Sequence, residues 1–600
     1  MKINMSGKSP LFSAEGPVEC VIQSGGKSLS SVLPIVSVDV DYSINMIPKA
    51  VVVIEDGEMS DGTFSLSDGN ELVPGAEITI KAGYGTDSTP IFNGIVVRHA
   101  VSISKNGFHC VKIECRDKAI AMTCARKNAN FLEKTDDDIV KALTGKYGVS
   151  IKSQMGGEAH KEILQYYCTD WDFMMTRVEA NGCWLLADSE SMSIEKISDK
   201  GDSGVELTWG TDIIEFKAEA NAQFMVKNVE AKSWDVTKQN VISSKSSAKS
   251  LGKQDDLNGS ELAKVLNVST NTLQTNSSIS KRMLTSWAEA EQLKNELSRI
   301  CGSVTCVGSV KVKLGKLVNL KNVGTHFKGG ALVSGIHHHI GDGFWSTEYT
   351  FGMPKEWFFE KFETSAPIAS GLNCGVHGLM TGVVMQIHED PEKLNRVKVN
   401  IPLMENEKQD VWARLGGAYA SKGNGLLFFP EVGDEVVLGF FGGDPSCPVI
   451  LGSLYSGMRN TPKALEQKNN VKMILTREKL SVEFNEEKKS VTISTPGNRT
   501  FVLDDDAKKI LVSDDAGNKL EMSNSGIKIE SNKDIAFKTK GKFNVTATGG
   551  INLTSNNDLK GEGLNVEWKA KIGLTAKATA KAELSASGQT VVKGAMVQIN

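Results

Sequence analysis

Three consecutive histidines are the first residues whose type and spacing suggest chemistry. On a strand, His337 and His339 would point to one face and His338 to the other. Imidazole nitrogens bind transition metals, but a metal site needs at least one further ligand, which three copies of the chain around a threefold axis could supply. The alternative, which we favour, is a scaffold strand without a metal. We therefore predict no metal and no cofactor.

Other polar clusters fit local structure better than catalysis. The aspartates at 136–138 suit the start of a helix, and those at 504–506 suit a turn. The His-Glu-Asp segment at 388–390 belongs to a turn of a predicted barrel. Cys447 has no nearby histidine in the sequence that could activate it as a nucleophile. Because no P-loop, nucleophile elbow or zincin motif occurs either, we predict that the chain is not an enzyme and has no catalytic residues.

The ten cysteines are scattered along the chain and are predicted to be reduced thiols. Cys110 and Cys115 are five residues apart, and so are Cys301 and Cys306, which places the members of each pair on opposite faces of a strand. Neither pair is therefore a zinc site. The net charge of −4 provides no strong field for nucleic acid or membranes. No signal peptide is expected, and no stretch approaches twenty apolar residues.

Residues 1–360 are predicted to contain two β-barrel modules with a few helices between and around them. Alternating or continuous apolar segments indicate strands up to about residue 125, and strands return from about residue 310. Residues 240–282 are rich in Ser, Lys, Asn and Thr, a composition that predicts a mobile surface insertion. Residues 361–374 are predicted to be a linker.

Three helices are predicted within this region from their capping signals. Thr135 would cap the first helix, and Thr169 would cap the second, which would stop at Asn181-Gly182. Ser286 begins a Ser-Trp-Ala-Glu capping box, which predicts a third helix that ends at Gly302.

A compact all-β unit is predicted at residues 375–455. Six short apolar segments, one of them at 425–429, occur in about 80 residues, which suits a small closed barrel of the OB type. Residues 456–470 would form a linker. From residue 471 strands recur at about ten-residue spacing, and residues 471–600 as a whole are predicted to form a needle.

The last part of this needle, from residue 526, repeats an apolar pair every eight residues, with Lys, Thr, Ser, Asn and Gly between. The two members of a pair are one residue apart and share a face of a strand. So few apolar side chains cannot form a core in one chain, but three chains wound together would bury them on a common axis. The predicted axial core consists of Ile527, Ile529, Ile535, Phe537, Phe543, Val545, Ile551, Leu553, Ile572 and Leu574.

The repeat slips once, at Gly561-Glu562-Gly563. We predict a bulge or register shift there, with Trp568 packed just below it. The alternatives to a trimeric needle are a monomeric β-solenoid and a Lys/Ala-rich helix around residues 569–584.

The predicted barrel also carries the motifs of a known family. Its Asp-Pro-Glu-Lys-Leu-Asn-Arg-Val-Lys-Val segment at 390–399 resembles the family's DP…GRV.V motif. In the family's order follow Trp412-Ala-Arg, Phe429-Pro-Glu-Val-Gly-Asp-Glu-Val, Gly443-Asp-Pro and Pro448-Val-Ile-Leu-Gly-Ser-Leu-Tyr. The chain thus resembles VgrG proteins, the hub and spike of type VI secretion systems and relatives of contractile phage tails. One departure is Asn395, where most members carry Gly.

The resemblance extends over nearly the whole chain. Asp170-Trp-Asp-Phe, together with Glu179-Ala-Asn-Gly, is similar to the helix motif of the family's hub, and residues 302–320 and 333–351 look like the end of that hub. The family implies a homotrimer, in which two barrels per chain form a pseudo-hexameric ring that seats an Hcp-like inner tube. It also implies baseplate proteins, effectors and their chaperones as partners, and no nucleic acid.

At the end of the needle the family implies a PAAR-repeat tip protein, which would dock on Val597, Ile599 and Asn600. The implied function is that of a structural spike, which is assembled in the bacterial cytoplasm, punctures a target envelope and is delivered into the target cell. The spike of an extracellular injection particle or of a phage tail is an alternative. A cell-wall-degrading spike enzyme and a trimeric adhesin are alternatives of other classes, but only residues 456–470 lie between barrel and needle, which is too short for a lysozyme domain.

Overall fold

The computed structural model describes residues 9–10, 16–30, 33–196, 201–247, 253–254, 257–404 and 410–599. The chain divides into two compact units, Met1–Leu454 and Tyr455–Asn600. Strands are the predominant regular element in both. None of the helices in the described ranges is long and apolar enough to cross a membrane.

The first unit contains 29 of the described strands and all five described α-helices. Its helices are α1 (Asp136–Gly145), α2 (Asp170–Ala180), α3 (Gly259–Leu262), α4 (Lys281–Leu297) and α5 (Phe358–Lys361). Its strands before the barrel are β1 (Val18–Ser24), β2 (Lys27–Ser28), β3 (Ile35–Ser43), β4 (Lys49–Glu55), β5 (Glu77–Tyr84), β6 (Asp87–Ile103), β7 (His109–Arg116), β8 (Arg126–Lys134), β9 (Ile151–Ser153), β10 (His160–Thr169), β11 (Trp184–Ala187), β12 (Met192–Glu195), β13 (Asp202–Thr208), β14 (Ile213–Ala220), β15 (Asn228–Asp235), β16 (Asn240–Ser247), β17 (Lys253–Gln254), β18 (Thr270–Thr275), β19 (Ile300–Val307), β20 (Leu317–Lys321), β21 (Gly329–Gly341) and β22 (Phe344–Phe351).

A 14-stranded sheet organises this region, which we call the hub. Its main path runs β14-β19-β22-β21-β3-β4-β7-β6-β5-β1-β2, with β13, β17 and β20 attached to the side. Strand β21, near the end of the hub, pairs antiparallel with β3, near its beginning. One large apolar core lies beneath this sheet. Because strands from both halves of the hub share a sheet, its division into two barrel modules remains a prediction.

The first two helices begin where their capping residues predict. Thr135 and Asp138 form a reciprocal capping box at α1, and the Thr169 side chain accepts the Asp172 amide at α2. Helix α2 ends at Ala180, and Gly182 follows with a φ of 64°, a conformation that favours glycine.

Helix α4 begins earlier than predicted, because Ser280 and not Ser286 caps it. The Ser280 hydroxyl accepts the Met283 amide at 3.2 Å, and Leu284 in the first turn is fully buried. The helix also ends at Leu297, before Gly302, which lies inside strand β19. A Cβ atom at Gly302 would meet the Lys217 carbonyl oxygen at 2.1 Å, so this glycine permits close pairing of β19 with β14 and is not a helix stop.

The described part of residues 240–282 is more regular than the predicted mobile insertion. Strand β16 pairs antiparallel with β15, and β18 pairs parallel with it on the other side. This small sheet packs against α4 through a core that includes Val229, Leu284 and Ala288. The sequence did not predict these strands because most side chains of β16 are exposed and most are polar, so β16 lacks an apolar pattern.

A closed five-stranded barrel follows, in the order β23-β24-β25-β29-β28. The strands of this part are β23 (Met380–Gln386), β24 (Val397–Asn400), β25 (Asp410–Leu415), β26 (Ala420–Ser421), β27 (Asn424–Gly425), β28 (Glu435–Phe440) and β29 (Pro448–Ser453). The predicted sixth strand at 425–429 is wrong. Only Asn424–Gly425 pairs, in a small hairpin with Ala420–Ser421, and Leu426, Leu427 and Phe428 are exposed.

The Asp-Pro motif forms a tight turn of the barrel around one carboxylate. Asp390 accepts the amides of Glu392, Leu394 and Arg396 and also the Arg396 guanidinium. These hydrogen bonds, above all that from Arg396, lower the pKa of Asp390. Asn395 adopts a φ of 58°, which is easy for glycine and tolerated by asparagine, so the departure from the family's Gly leaves the turn intact.

The second unit begins with a seven-stranded antiparallel meander. Its strands, each five residues long, are β30 (Val471–Leu475), β31 (Ser481–Asn485), β32 (Ser490–Ser494), β33 (Thr500–Asp504), β34 (Lys509–Ser513), β35 (Lys519–Ser523) and β36 (Gly526–Glu530). Within the described residues 531–599 the single chain forms no further strand ladder, and its backbone bends at regular intervals.

Candidate assembly surface

One face of the meander carries an apolar stripe, two residues wide, across all seven strands. Directly paired residues of an antiparallel sheet share a face, so the register of the six pairings defines its members. All are apolar except Lys472 at one end. The apolar stripe comprises Lys472, Ile474, Val482, Phe484, Val491, Ile493, Phe501, Leu503, Ile510, Val512, Leu520, Met522, Ile527 and Ile529.

The single chain leaves the apolar stripe in contact with water. Ten of its large side chains are exposed, by fractions from 37% at Phe501 to 69% at Ile527. The other three apolar members, Val482, Val491 and Leu520, are half-buried. The opposite face is mainly polar and is laced by hydrogen bonds, such as those between Ser481 and Ser494 and between Thr500 and Ser513. A continuous exposed apolar surface of this kind is typical of an interface.

The apolar rows continue below the meander. The backbone bends at 532–533, 540–541, 548–549 and 556–557, which are eight residues apart. An apolar pair begins two residues after each of the first three bends: Ile535 and Phe537, Phe543 and Val545, Ile551 and Leu553. The rings of Phe537 and Phe543, from successive pairs, lie 5.7 Å apart. Successive pairs therefore lie on one side of the chain.

The spacing of the bends changes once, at the predicted slip. Later bends fall at 564, 571–572, 579–580, 587–588 and 595–596, so fifteen residues separate 557 from 572, where two regular repeats would need sixteen. In the earlier repeats the apolar pair begins two residues after the bend. If Leu564 is the end of its bend, the next pair is Val566 and Trp568, which are both apolar. If the bend ended one residue later, the pair would be Glu567 and Lys569, which are both charged. Only the first alternative continues the apolar row. The repeat that is one residue short therefore lies between 557 and 564, a segment that includes Gly561-Glu562-Gly563.

This shift places one of the predicted axial residues, Ile572, outside the pattern that the other apolar residues follow. Ile572 lies on a bend and is fully exposed, at 103% of its reference area, as is Leu564 on the preceding bend, at 102%. Leu574 keeps its place two residues after a bend. The bend pattern pairs Leu574 with Ala576 and not with Ile572, and Trp568 with Val566.

The proposed tip residues lie in the last repeat. Val597 and Ile599 are exposed in the single chain. Asn600 lies outside the described residues. Docking of a tip protein on these residues remains a prediction, as does the axial position of the needle residues.

The comparisons with known proteins agree with these features. Residues 14–342 match the family model of the Alg8 N-terminal domain, which is more than half of the chain. Residues 380–455 match the model of the type VI secretion system/phage-baseplate injector OB domain and coincide with the five-stranded barrel. The chain belongs to the Alg8 N-terminal domain family and is a VgrG-type protein.

Two curated relatives of this VgrG-type chain come from Vibrio cholerae serotype O1. The type VI secretion system spike protein VgrG3 is 31% identical over 99 residues, which is 16% of this chain and 10% of that protein. The actin cross-linking toxin VgrG1 is 30% identical over 95 residues, which is 15% of this chain and 9% of that protein. The chain thus matches only about a tenth of either relative's length.

Among solved structures, the 43 kDa tail protein of prophage MuSo2 from Shewanella oneidensis is similar over 56% of this chain and 99% of that chain. Its sequence identity is 14% and its TM-score 0.43.

The aspartate clusters of this VgrG-type chain support local structure. Asp136, at the start of α1, is buried and accepts hydrogen bonds from Arg177 and Asn181. Burial would raise its pKa, but the Arg177 guanidinium and the other partners hold it below the ordinary value. Asp504 accepts the Ala507 amide in the turn before β34. The predicted helix start and turn are therefore confirmed.

The hub's helix motif builds a buried ion pair. The Glu179 carboxylate on α2 accepts Lys294 of α4 at 2.9 Å, Asn45 at 3.0 Å and the Phe358 amide at 2.7 Å. Both charged side chains are at most 4% exposed. The Glu179 carboxylate thus links α2 to α4 and to the start of α5. This structural role within the hub explains the glutamate of the Glu-Ala-Asn-Gly motif.

Burial disfavours the reactive thiolate form of Cys306 and Cys115. Burial raises the pKa of the Cys306 thiol to about 12 and that of Cys115 to about 12, so neither forms a thiolate near neutral pH. His338 is buried on β21, where its Nδ1 lies 2.9 Å from the Thr347 hydroxyl, and burial lowers its pKa to about 3. His337 and His339 lie on the opposite, solvent-facing side of β21, as predicted.

Proposed function

We propose that three copies of this chain assemble into the hub and spike of a contractile injection machine, with the apolar stripe and the rows below it on the trimer axis. The observation that carries this proposal is the stripe itself. Seven strands in unbroken register present an almost wholly apolar stripe on one face, and no described segment of the single chain covers it. Three such faces closing on each other would exclude water from all of them.

The stripe is large enough to offset the cost of assembly. Seven strands spaced about 4.8 Å apart give a ladder ~29 Å long. Complete burial of a Leu, Ile or Phe side chain contributes about 1.5–3 kcal/mol. Because these side chains are already about half buried, their remaining burial contributes on the order of 10 kcal/mol per chain. This contribution is comparable with the cost of association, about 4–15 kcal/mol.

The remaining parts of the chain fit the same role. One of the two relatives, VgrG3, is named a spike protein of a type VI secretion system, and the barrel matches an injector domain. We infer that the hub seats an Hcp-like inner tube and contacts the baseplate, and that a PAAR-repeat protein docks at the tip. The trimer serves equally in a cell-bound system, an extracellular particle or a phage tail.

We also infer that this chain has no enzymatic activity of its own. One relative is named an actin cross-linking toxin, so members of this group can carry an activity in addition to the spike. In this chain the polar clusters described above support structure. Effectors and their chaperones would accordingly bind as separate proteins, and the spike would be assembled in the bacterial cytoplasm before delivery.

A pair of neighbouring substitutions tests the proposal. Phe501 lies on the apolar stripe, and Val502, the next residue of the same strand, lies on the opposite face. Phe501→Asp would place three charges in the trimer core and is expected to abolish the trimer, while Val502→Asp is expected to leave it intact. The readout is mass by light scattering. A trimer that survives Phe501→Asp as well as Val502→Asp would contradict the assignment of this face to the axis.

A further inference from the structure

Two histidines and two aspartates form a cluster on the solvent-facing side of the hub sheet. In the pairing of β21 with β3, His337 lies opposite Asp41, and His339 lies opposite Asp39. His337 Nδ1 is 2.7 Å from an Asp41 oxygen, and His339 Nδ1 is 2.7 Å from Asp39 Oδ1. His337 Nε2 lies 3.7 Å from the same Asp39 oxygen.

We propose that Asp39, His337 and His339 bind one divalent transition-metal ion of the Zn²⁺, Co²⁺ and Ni²⁺ class. Each residue offers one ligand atom, and these three atoms lie within 4.8 Å of one another. Bonds of about 2.0–2.2 Å around a tetrahedral ion separate ligand atoms by roughly 3.3 Å. The observed Asp39–imidazole distances of 2.7 and 3.7 Å bracket this separation, so a shift of about half an ångström in the Asp39 carboxylate would bring both close to it.

The fourth member of the cluster supports this assignment. Asp41 accepts a hydrogen bond from His337 Nδ1, which fixes the proton on that nitrogen and leaves the lone pair of Nε2 directed to the side of Asp39. A carboxylate that orients a ligating imidazole in this way is a regular companion of protein metal sites. Asp41 is therefore a positioning residue and not itself a ligand.

The donor set selects the metal. Two imidazole nitrogens and one carboxylate oxygen suit borderline transition metals, whereas Ca²⁺ and Mg²⁺ require mostly oxygen ligands. Three protein ligands leave at least one coordination position for water or for a ligand from another protein. The prediction of no metal depended on a missing third ligand, and Asp39, nearly 300 positions away in the sequence, supplies it.

The site would join distant parts of the hub. His339 and Asp39 are separated by 300 residues, and β21 and β3 are adjacent in the middle of the large sheet. An ion here would cross-link the N-terminal strands to the last strands before the barrel. This inference does not depend on the trimer or on the function proposed above.

Cobalt titration of the chelator-treated full-length protein tests the site, because Co²⁺ bound by nitrogen and oxygen ligands gives visible d–d absorption. We expect saturation at one Co²⁺ per chain, followed by displacement with Zn²⁺. His337→Ala and His339→Ala should each weaken binding at least about tenfold, and Asp41→Asn should weaken it about 10-fold to 100-fold. His388→Ala, which removes an exposed histidine of the barrel, is the matched control and should bind normally.

Two results would overturn the site. One is the absence of saturable absorption in the unaltered protein, which would leave the cluster as two His–Asp ion pairs only. The other is equal Co²⁺ binding by the His337→Ala, His339→Ala double variant, which would place the ion elsewhere. Circular dichroism and mass by light scattering on every variant distinguish loss of the site from loss of the fold.

Discussion

Phe537 and Phe543 stack with their ring centroids 5.7 Å apart and their planes inclined by 29°. They belong to successive eight-residue repeats, so one turn of the chain returns the next apolar pair to the same side. Both rings are exposed in the single chain. Three chains wound together would bury them on the trimer axis.

The first prediction concerns that ladder. Phe543→Asp should prevent formation of a heat-stable, SDS-resistant trimer, because three carboxylates would be buried on the axis without partners at a cost of several kcal/mol each. Gel electrophoresis without boiling measures this. Asn544→Asp adds the same charge one residue away, between the two apolar members of a pair, and should be tolerated because that position would face away from the predicted axis. An SDS-resistant Phe543→Asp trimer would show that Phe543 is not axial.

A second prediction tests the register shift. Leu574→Asp should lower the melting temperature of the trimer far more than Ile572→Asp, because Leu574 follows the bend pattern and Ile572 lies on a corner. Thermal melts followed by circular dichroism compare the two variants directly. Equal damage from both would restore the pairing of Ile572 with Leu574 that the sequence repeat suggests.

A third prediction follows from the buried His338. Its pKa is lowered to about 3 in the folded hub, whereas an unfolded histidine titrates near 6.5. Between these values the unfolded state binds more protons, so the free energy of unfolding should fall as the pH falls below about 6.5. The loss by pH 4.5 from this group alone is about 2–3 kcal/mol.

Urea unfolding at pH 7 and pH 4.5 measures this loss. The indole of Trp345, whose ring centroid is 5.8 Å from that of His338, provides a local fluorescence signal. His338→Asn should show a smaller pH difference than the unaltered chain. His337 has the opposite sign: its hydrogen bond with Asp41 raises its pKa, so its contribution is lost as the pH rises through that value. An unchanged pH difference in His338→Asn would refute the prediction for His338.

Local sequence signals were sufficient to predict where some helices of the hub begin. Thr135 and Thr169 cap their helices as predicted, because capping depends on residues within one turn. The same rule misplaced the start of α4, where two serines compete and burial of Leu284 favours Ser280. The barrel was predicted with one strand too many, since an apolar segment at 425–429 does not by itself reveal whether a strand is available to pair with it.

Long-range relationships required the structure. The apolar pairs at 474–522 recur about every ten residues and those below every eight, so only the strand register reveals that Phe501 and Ile527 share a face. The third ligand of the histidine cluster, Asp39, was invisible for the same reason, because no sequence pattern links it to His339. Strand pairing decides both features: pairing of consecutive strands defines the stripe, and pairing of the distant strands β3 and β21 brings Asp39 to His339.

The mass of the unaltered full-length protein in solution tests the central claim most directly. Light scattering coupled to size exclusion should give three times the chain mass of 64.8 kDa, independent of dilution through the micromolar range, because the apolar stripe is buried only when three chains close around it. A species of 64.8 kDa would contradict the trimer and, with it, the assignment of this chain as an injection spike.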